Sequence, residues 1–119
     1  MSSSRRSRPS TENWLSEQVR PVIEGANVPP AKWNGQGDVT KPGYRMMLNG
    51  GCVEITYVVK DDLAKHAAET DRLMAILRSH FDGKTLEFDG RRWRTSVRRK
   101  YARPEWSDLY VEIRWLSDL

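Results

Sequence analysis

Two hydrophobic periods divide most of the chain. Val53, Ile55, Tyr57 and Val59 recur at every second position, the period of a strand with one buried face. With 44–48 before them and Asn49-Gly50-Gly51 as the turn, the pattern predicts a hairpin of 44–48 and 52–60. The period then lengthens. Leu63, Ala67, Thr70, Leu73, Met74 and Leu77 share one side of a helix that Asp61 or Asp62 caps and that runs to about His80, with Lys65, Glu69, Asp71, Arg72 and Arg78 elsewhere. At 1.5 Å per residue this helix is roughly 28 Å long, enough to lie across a small sheet. Gly83 closes it. The stretch 84–88, Asp89-Gly90 and 91–99 then reads as a second hairpin with a type I′ turn. A last strand, 108–116, sets Leu109, Val111, Ile113 and Trp115 against Tyr110, Glu112 and Arg114.

The first third is less regular. Residues 1–9 form a Ser/Arg-rich tail without apolar side chains, so nothing in it offsets the entropy of ordering, and a flexible basic tail is expected. Ser10 or Thr11 caps a short helix through about Glu24, with Trp14, Leu15, Val19, Val22 and Ile23 at helical spacing and Gly25 as its end. Pro21 removes a backbone donor inside it, which predicts a kink or a split with Arg20 at the joint. Residues 26–43 concentrate Pro, Gly and Asn, with 31–33 as the only candidate strand, and a loop of this length is commonly functional or ordered on assembly. The order is therefore α-β-β-α-β-β-β. It predicts a single α+β domain over 10–119, a small mostly antiparallel sheet packed by one long helix, with a short N-terminal helix.

A chain of 119 residues with 38 % hydrophobic content, five Trp, four Tyr and two Phe has material for one core. The longest apolar run, 53–59, falls far short of the roughly 20 residues that cross a bilayer, and the N-terminus has no apolar signal centre, which predicts a soluble protein made in the cytoplasm without a membrane partner. Cys52, the single cysteine, excludes an internal disulfide and reads as a small apolar strand residue. His66 and His80 lie 14 positions apart on one helix, so no metal set is expected, and nothing calls for a cofactor. Twenty basic against 16 acidic residues give a net charge of +4 and favour an acidic partner.

That excess is concentrated. Arg91, Arg92, Arg94, Arg98, Arg99, Lys100 and Arg103 occur with no acid among them, a block not expected to be neutralised locally. Strand alternation sends Arg92, Arg94 and Arg98 to one face and Trp93, Thr95 and Val97 to the other, so a row of guanidiniums stands on a rigid hairpin in a geometry suited to carboxylates or phosphates. Three readings stay open: a solvated basic face, a surface for an acidic protein, or direct nucleic-acid contact, the last weakened because Trp93 and Tyr101 are partly committed to the core or the strand end. Catalytic templates are absent. There is no Gly-rich phosphate loop, no Gly-x-Ser-x-Gly and no zincin motif, and a helix cap and hairpin turns account for Asp61/Asp62 and Asp82/Asp89. His66, beside Ala67, reads as a satisfied histidine at the edge of the core. The chain is expected not to be an enzyme.

The order of elements, the strand 52–59 (CVEITYVV), the helix 62–80, the hairpin after it and the closing 105–115 (EWSDLYVEIRW) resemble the tail-terminator proteins of long-tailed bacteriophages, as does the opening 18–24 (QVRPVIE). The distal tail proteins at the other end of the tube are similar in having a strand, a long helix and a hairpin with a stretch like Gly90-Arg91-Arg92-Trp93. The first resemblance implies a structural protein of the virion tail. Its copies, about six, would form a ring that caps the tube protein and meets the head connector, with the Arg hairpin facing acidic residues of the adjoining ring or a channel through which DNA passes. The 26–43 loop and the last strand would then make subunit contacts.

Overall fold

The N-terminal helix starts where an oxygen is available to hold it. In the computed structural model, which describes residues 10–103 and 106–119 (the side chains of 101–103 excepted), the Ser10 side chain accepts the Asn13 N–H at 3.0 Å and caps α1, Thr11–Gly25. The tail expected over 1–9 lies outside the described residues. Leu15, Val19 and Ile23 are fully buried, each stabilising the helix's attachment by about 1.5–3 kcal/mol. Pro21 neither splits α1 nor makes a joint at Arg20, and the helix is continuous through it. Pro21 and Glu17, whose carbonyl it leaves without a donor, are both exposed, so water can satisfy that oxygen. Gly25 is still helical. The reversal falls on Asn27, at φ 65°, whose N–H bonds the Glu24 carbonyl while that of Val28 reaches Ile23.

Contacts within the chain hold the 26–43 segment against the sheet. Val28 is buried, and Pro29–Ala31 run along the next strand, with Tyr44 N–H on the Pro29 carbonyl and Ala31 N–H on that of Tyr44, both at 2.9 Å. The approach is so close that a Cβ at Gly43 would lie 2.1 Å from the Pro29 oxygen, so only glycine fits there. Beyond it β1 (Lys32–Trp33) and β2 (Val39–Lys41) pair as a two-stranded ribbon.

The main sheet is antiparallel. It comprises β3 (Gly43–Asn49), β4 (Cys52–Val58), β5 (Thr85–Phe88), β6 (Arg91–Arg103) and β7 (Trp106–Asp118), in the order β3-β4-β7-β6-β5. Both predicted hairpins form, and Asp89 and Gly90 take φ of 56° and 69°, as a type I′ turn requires. The expected face of β4 is the buried one: Val53, Ile55, Tyr57 and Val59 are at most 9 % exposed. The alternation of β7 holds through Trp115 and breaks beyond it. Arg92 pairs with Ser117 but Trp93 with Trp115, so Leu116 is the extra residue of a β-bulge, and Trp115 is 53 % exposed.

Helix α2, Leu63–Phe81, is capped by Asp62, whose side chain accepts the Lys65 N–H at 2.9 Å. Its buried stripe is His66, Thr70, Leu73, Met74, Leu77 and Phe81, whereas Leu63 and Ala67, expected inside, are exposed. His66 takes the inward position because two main-chain groups need it there. Its Nδ1 lies 2.8 Å from the Tyr57 carbonyl and its Nε2 3.2 Å from the Ser107 nitrogen. The tautomer that satisfies both carries its proton on Nδ1, donating to Tyr57 while Nε2 accepts from Ser107. With its ring 4.0 Å from that of Trp106, His66 is a core residue and not the edge histidine expected. It ties α2 to β4 and to the start of β7.

The apolar side chains of α1 and α2 join those of β3, β4, β6 and β7 in one core. The sheet positions in that core, such as Tyr44, Ile55, Val97 and Val111, all belong to one face, so both helices cover the same side and no described helix covers the other. Replacing His66 by Ala leaves two buried main-chain groups unpaired and is expected to lower unfolding stability by roughly 2–4 kcal/mol in urea titrations. Ala67→Ser should change it by less than about 0.5 kcal/mol, and the reverse ranking would show that the helix is turned the other way.

Candidate partner-binding face

Alternation along β6 places Trp93, Thr95 and Val97 toward the helices, with Thr95 and Val97 buried, and exposes Arg92, Arg94, Ser96, Arg98 and Lys100 on the uncovered face. Trp93 is tethered further: its Nε1–H donates to the Phe88 carbonyl at 3.0 Å, and Phe88 in turn stacks on Trp14 of α1. It is not a free platform for a base.

The seven basic residues do not form one row. Arg91 and Arg99 belong to the helix-facing side of β6. Arg91 lies 3.4 Å from Asp118 with its guanidinium 5.2 Å from the Trp115 ring, and Arg99 reaches Asp71 of α2 at 2.5 Å and the Ser107 hydroxyl at 3.0 Å. On the uncovered face Arg98 pairs with Glu112 at 2.8 Å and sits 4.6 Å over the Tyr110 ring, and Arg92 donates twice to the Ser117 hydroxyl. Lys100 is exposed opposite Asp108, and Arg103 ends β6 opposite Trp106, its side chain outside the described residues.

The expectation that the block would stay without local neutralisation therefore fails for Arg91, Arg98 and Arg99. Their acids come from β7 and α2, remote in sequence, and are invisible to a reading along one strand. Arg94 is different. Its cross-strand neighbour is Arg114, both are exposed, and among the described residues neither has an acid within ion-pair distance. The two, with Ser96, Glu112 and Ile113, line an open depression of about 410 Å³. Arg114 was not among the expected site residues. The alternation of β7 already set it beside Tyr110 and Glu112, but only the pairing register puts it against Arg94.

The middle of the same face is acidic. Thr56 donates to Asp108 at 2.6 Å, and Glu54, cross-strand from Tyr110, hydrogen-bonds Asp108. Burial, then that hydrogen bond and the Asp108 charge, push the Glu54 carboxyl up, against a smaller opposing pull from Arg45. Burial, followed by the Glu54 charge, likewise raises the Tyr110 phenol. Cys52 is 7 % exposed with its thiol donating to the Asn49 carbonyl, and burial, then Glu112, push that thiol up, which suits a packing residue rather than a nucleophile.

Two further carboxylates have structural work: Asp62 caps α2 and Asp82 accepts the Val97 N–H at 2.9 Å. Among the described residues no group of three or more His, Cys, Asp and Glu side chains could hold a metal, and no helix is long and apolar enough to cross a membrane. No family model, curated protein or solved structure matches the chain.

A carboxyl raised on folding makes the native state bind the proton more tightly than the unfolded chain, so Glu54 costs stability above its folded pKa. That cost disappears as pH falls through the folded pKa toward the unfolded value of about 4.3. Glu54→Gln should therefore raise the urea midpoint near pH 7 and lose this advantage near about pH 4. An equal gain at both would assign the effect to packing.

Proposed function

We propose that this chain is a tail terminator of a long-tailed bacteriophage, a structural virion protein whose copies close into a ring that caps the tail tube and joins it to the head connector. The observation that supports it most is one-sidedness. Both helices cover one face of the sheet, while the other stays open with Arg92, Arg94, Arg98 and Lys100 exposed along β6. The residues there are interspersed charges, not the convergent polar groups of an enclosed catalytic pocket. This favours a role in binding protein rather than in catalysis.

The sheet borders agree with assembly. Pro29–Ala31 cover only the start of β3, and β5, four residues long, forms the opposite edge. Free edges are an aggregation hazard that closed symmetric association removes. Exposed Met47 and Leu48 on β3 add apolar area at one border, and Trp115 and Leu116 add it on β7. The tethered Trp93 makes direct base stacking by the hairpin a poorer reading.

Light scattering on the purified protein should give a species near about six times the 13.8 kDa chain mass, either alone at high concentration or with tube protein added. Monomer under both conditions removes the reading. Changing Arg92, Arg94 and Arg98 together to Glu should abolish tail-to-head joining in a reconstitution assay while the circular dichroism spectrum is kept. If joining survives, the row has no part in it.

A further inference from the structure

β7 outruns the strand beside it. Its pairing with β4 extends from Ile55↔Leu109 to Cys52↔Glu112, and the Ile113 N–H then reaches the Gly51 carbonyl at 3.2 Å, where the β3–β4 turn takes the neighbouring chain away. The stretch 114–118 is paired on its β6 side only. In an antiparallel strand the N–H and C=O of alternate residues face the same side, so the Trp115 main chain faces as Ile113 does, toward a side where no described strand lies.

The side chains flanking this edge differ on its two faces. Arg114 stands on the uncovered face beside Arg94, within the depression that they line with Ser96, Glu112 and Ile113. Trp115 stands on the helix side, half exposed. Like charges directly opposite one another on a sheet are destabilising, and here no described acid lies within ion-pair distance of either, Glu112 being paired with Arg98, so an arriving anion eases a repulsion as well as making new bonds.

We propose that this edge accepts an extended segment of a partner protein in which acidic and apolar side chains alternate. Its main chain adds to β7 at Trp115, its carboxylates meet Arg114 and Arg94, and its apolar side chains lie against Trp115. A nucleic-acid strand would use the two cations but neither the edge nor the opposite face where Trp115 lies. A second β7 paired by a two-fold axis would bring another Arg114 onto the same basic face. The inference rests on the assembly reading only in treating the uncovered face as a partner surface. Its test uses the lone chain and a peptide, so its failure is distinct from a failure to form rings or to bind tube protein.

Fluorescence anisotropy with a fluorescein-labelled peptide of four Glu-Val repeats tests it. The full chain should bind this peptide and not a Lys-Val counterpart. Arg94→Gln combined with Arg114→Gln should weaken binding about tenfold or more, whereas Lys65→Gln with Arg78→Gln on α2, which removes the same charge, should not. N-methylation of alternate peptide amides, which leaves every charge in place, should abolish binding because strand addition needs those donors. Failure of the Glu-Val peptide to bind overturns the proposal, as does binding that ignores the two arginines or the N-methyl groups. Tighter binding of labelled single-stranded DNA through the same arginines would overturn it in favour of a phosphodiester ligand. A dimer in sedimentation that persists or tightens in Arg114→Gln and excludes the peptide would show the edge taken by a second copy and overturn the proposal.

Discussion

Burial on one side only is the constraint from which the rest of this structure follows. Sheet positions on one face bring Val53, Ile55, Val97, Leu109 and Val111, while those on the other bring Glu54, Thr56, Arg94, Arg98 and Glu112. Only the first face gains by being covered, so α1 and α2 both settle there and share a core. Two helices on one side leave the other to solvent or to a partner. The buried His66 shows how tightly the covered side is set: one imidazole, in one tautomer, serves the main chains of both β4 and β7 from α2. A rotation of α2 that put Ala67 inward would strand both groups.

The sequence made the elements legible wherever a period was long and a punctuating residue stood at its end. The hairpins, the Asp62 cap, the Asp89-Gly90 turn and the buried face of β4 are local consequences of residue type, and they appear as expected. What was not legible depended on partners remote in sequence. Ala67 looks like the inward residue of α2 until Ser107 and Tyr57 require His66 there. Pro21 looks like a break until burial shows that the carbonyl it leaves unpaired faces water. The 26–43 loop looks unsupported until Gly43 lets Pro29–Ala31 lie against β3.

The charged face follows the same rule. Alternation along β6 correctly separates Arg92, Arg94 and Arg98 from Trp93, Thr95 and Val97. It cannot report that Glu112 and Asp71 neutralise Arg98 and Arg99, or that Arg114 stands where an acid would have completed Arg94, since those facts belong to the register of β7 and the placement of α2. A run of like charges in sequence is thus a poor measure of the field that it creates. The cross-strand neighbours decide it.

The long β6–β7 hairpin connects this charge pattern to shape. Each strand has 13 residues, yet β4 pairs with only four of β7 and β5 with only four of β6, so the hairpin extends past its neighbours. Where β4 leaves β7, β5 still pairs with Arg91, Arg92, Trp93 and Arg94 of β6, so this end is three-stranded and β7 is its edge. The side chains that join β7 to β6 along that edge include Arg91 with Asp118 and Arg92 with Ser117, exposed pairs worth little individually. The bulge at Leu116 and the unmatched Arg94–Arg114 pair weaken that end further. An edge so built gains from another strand, and the guanidiniums beside it favour a strand that carries acid on one face.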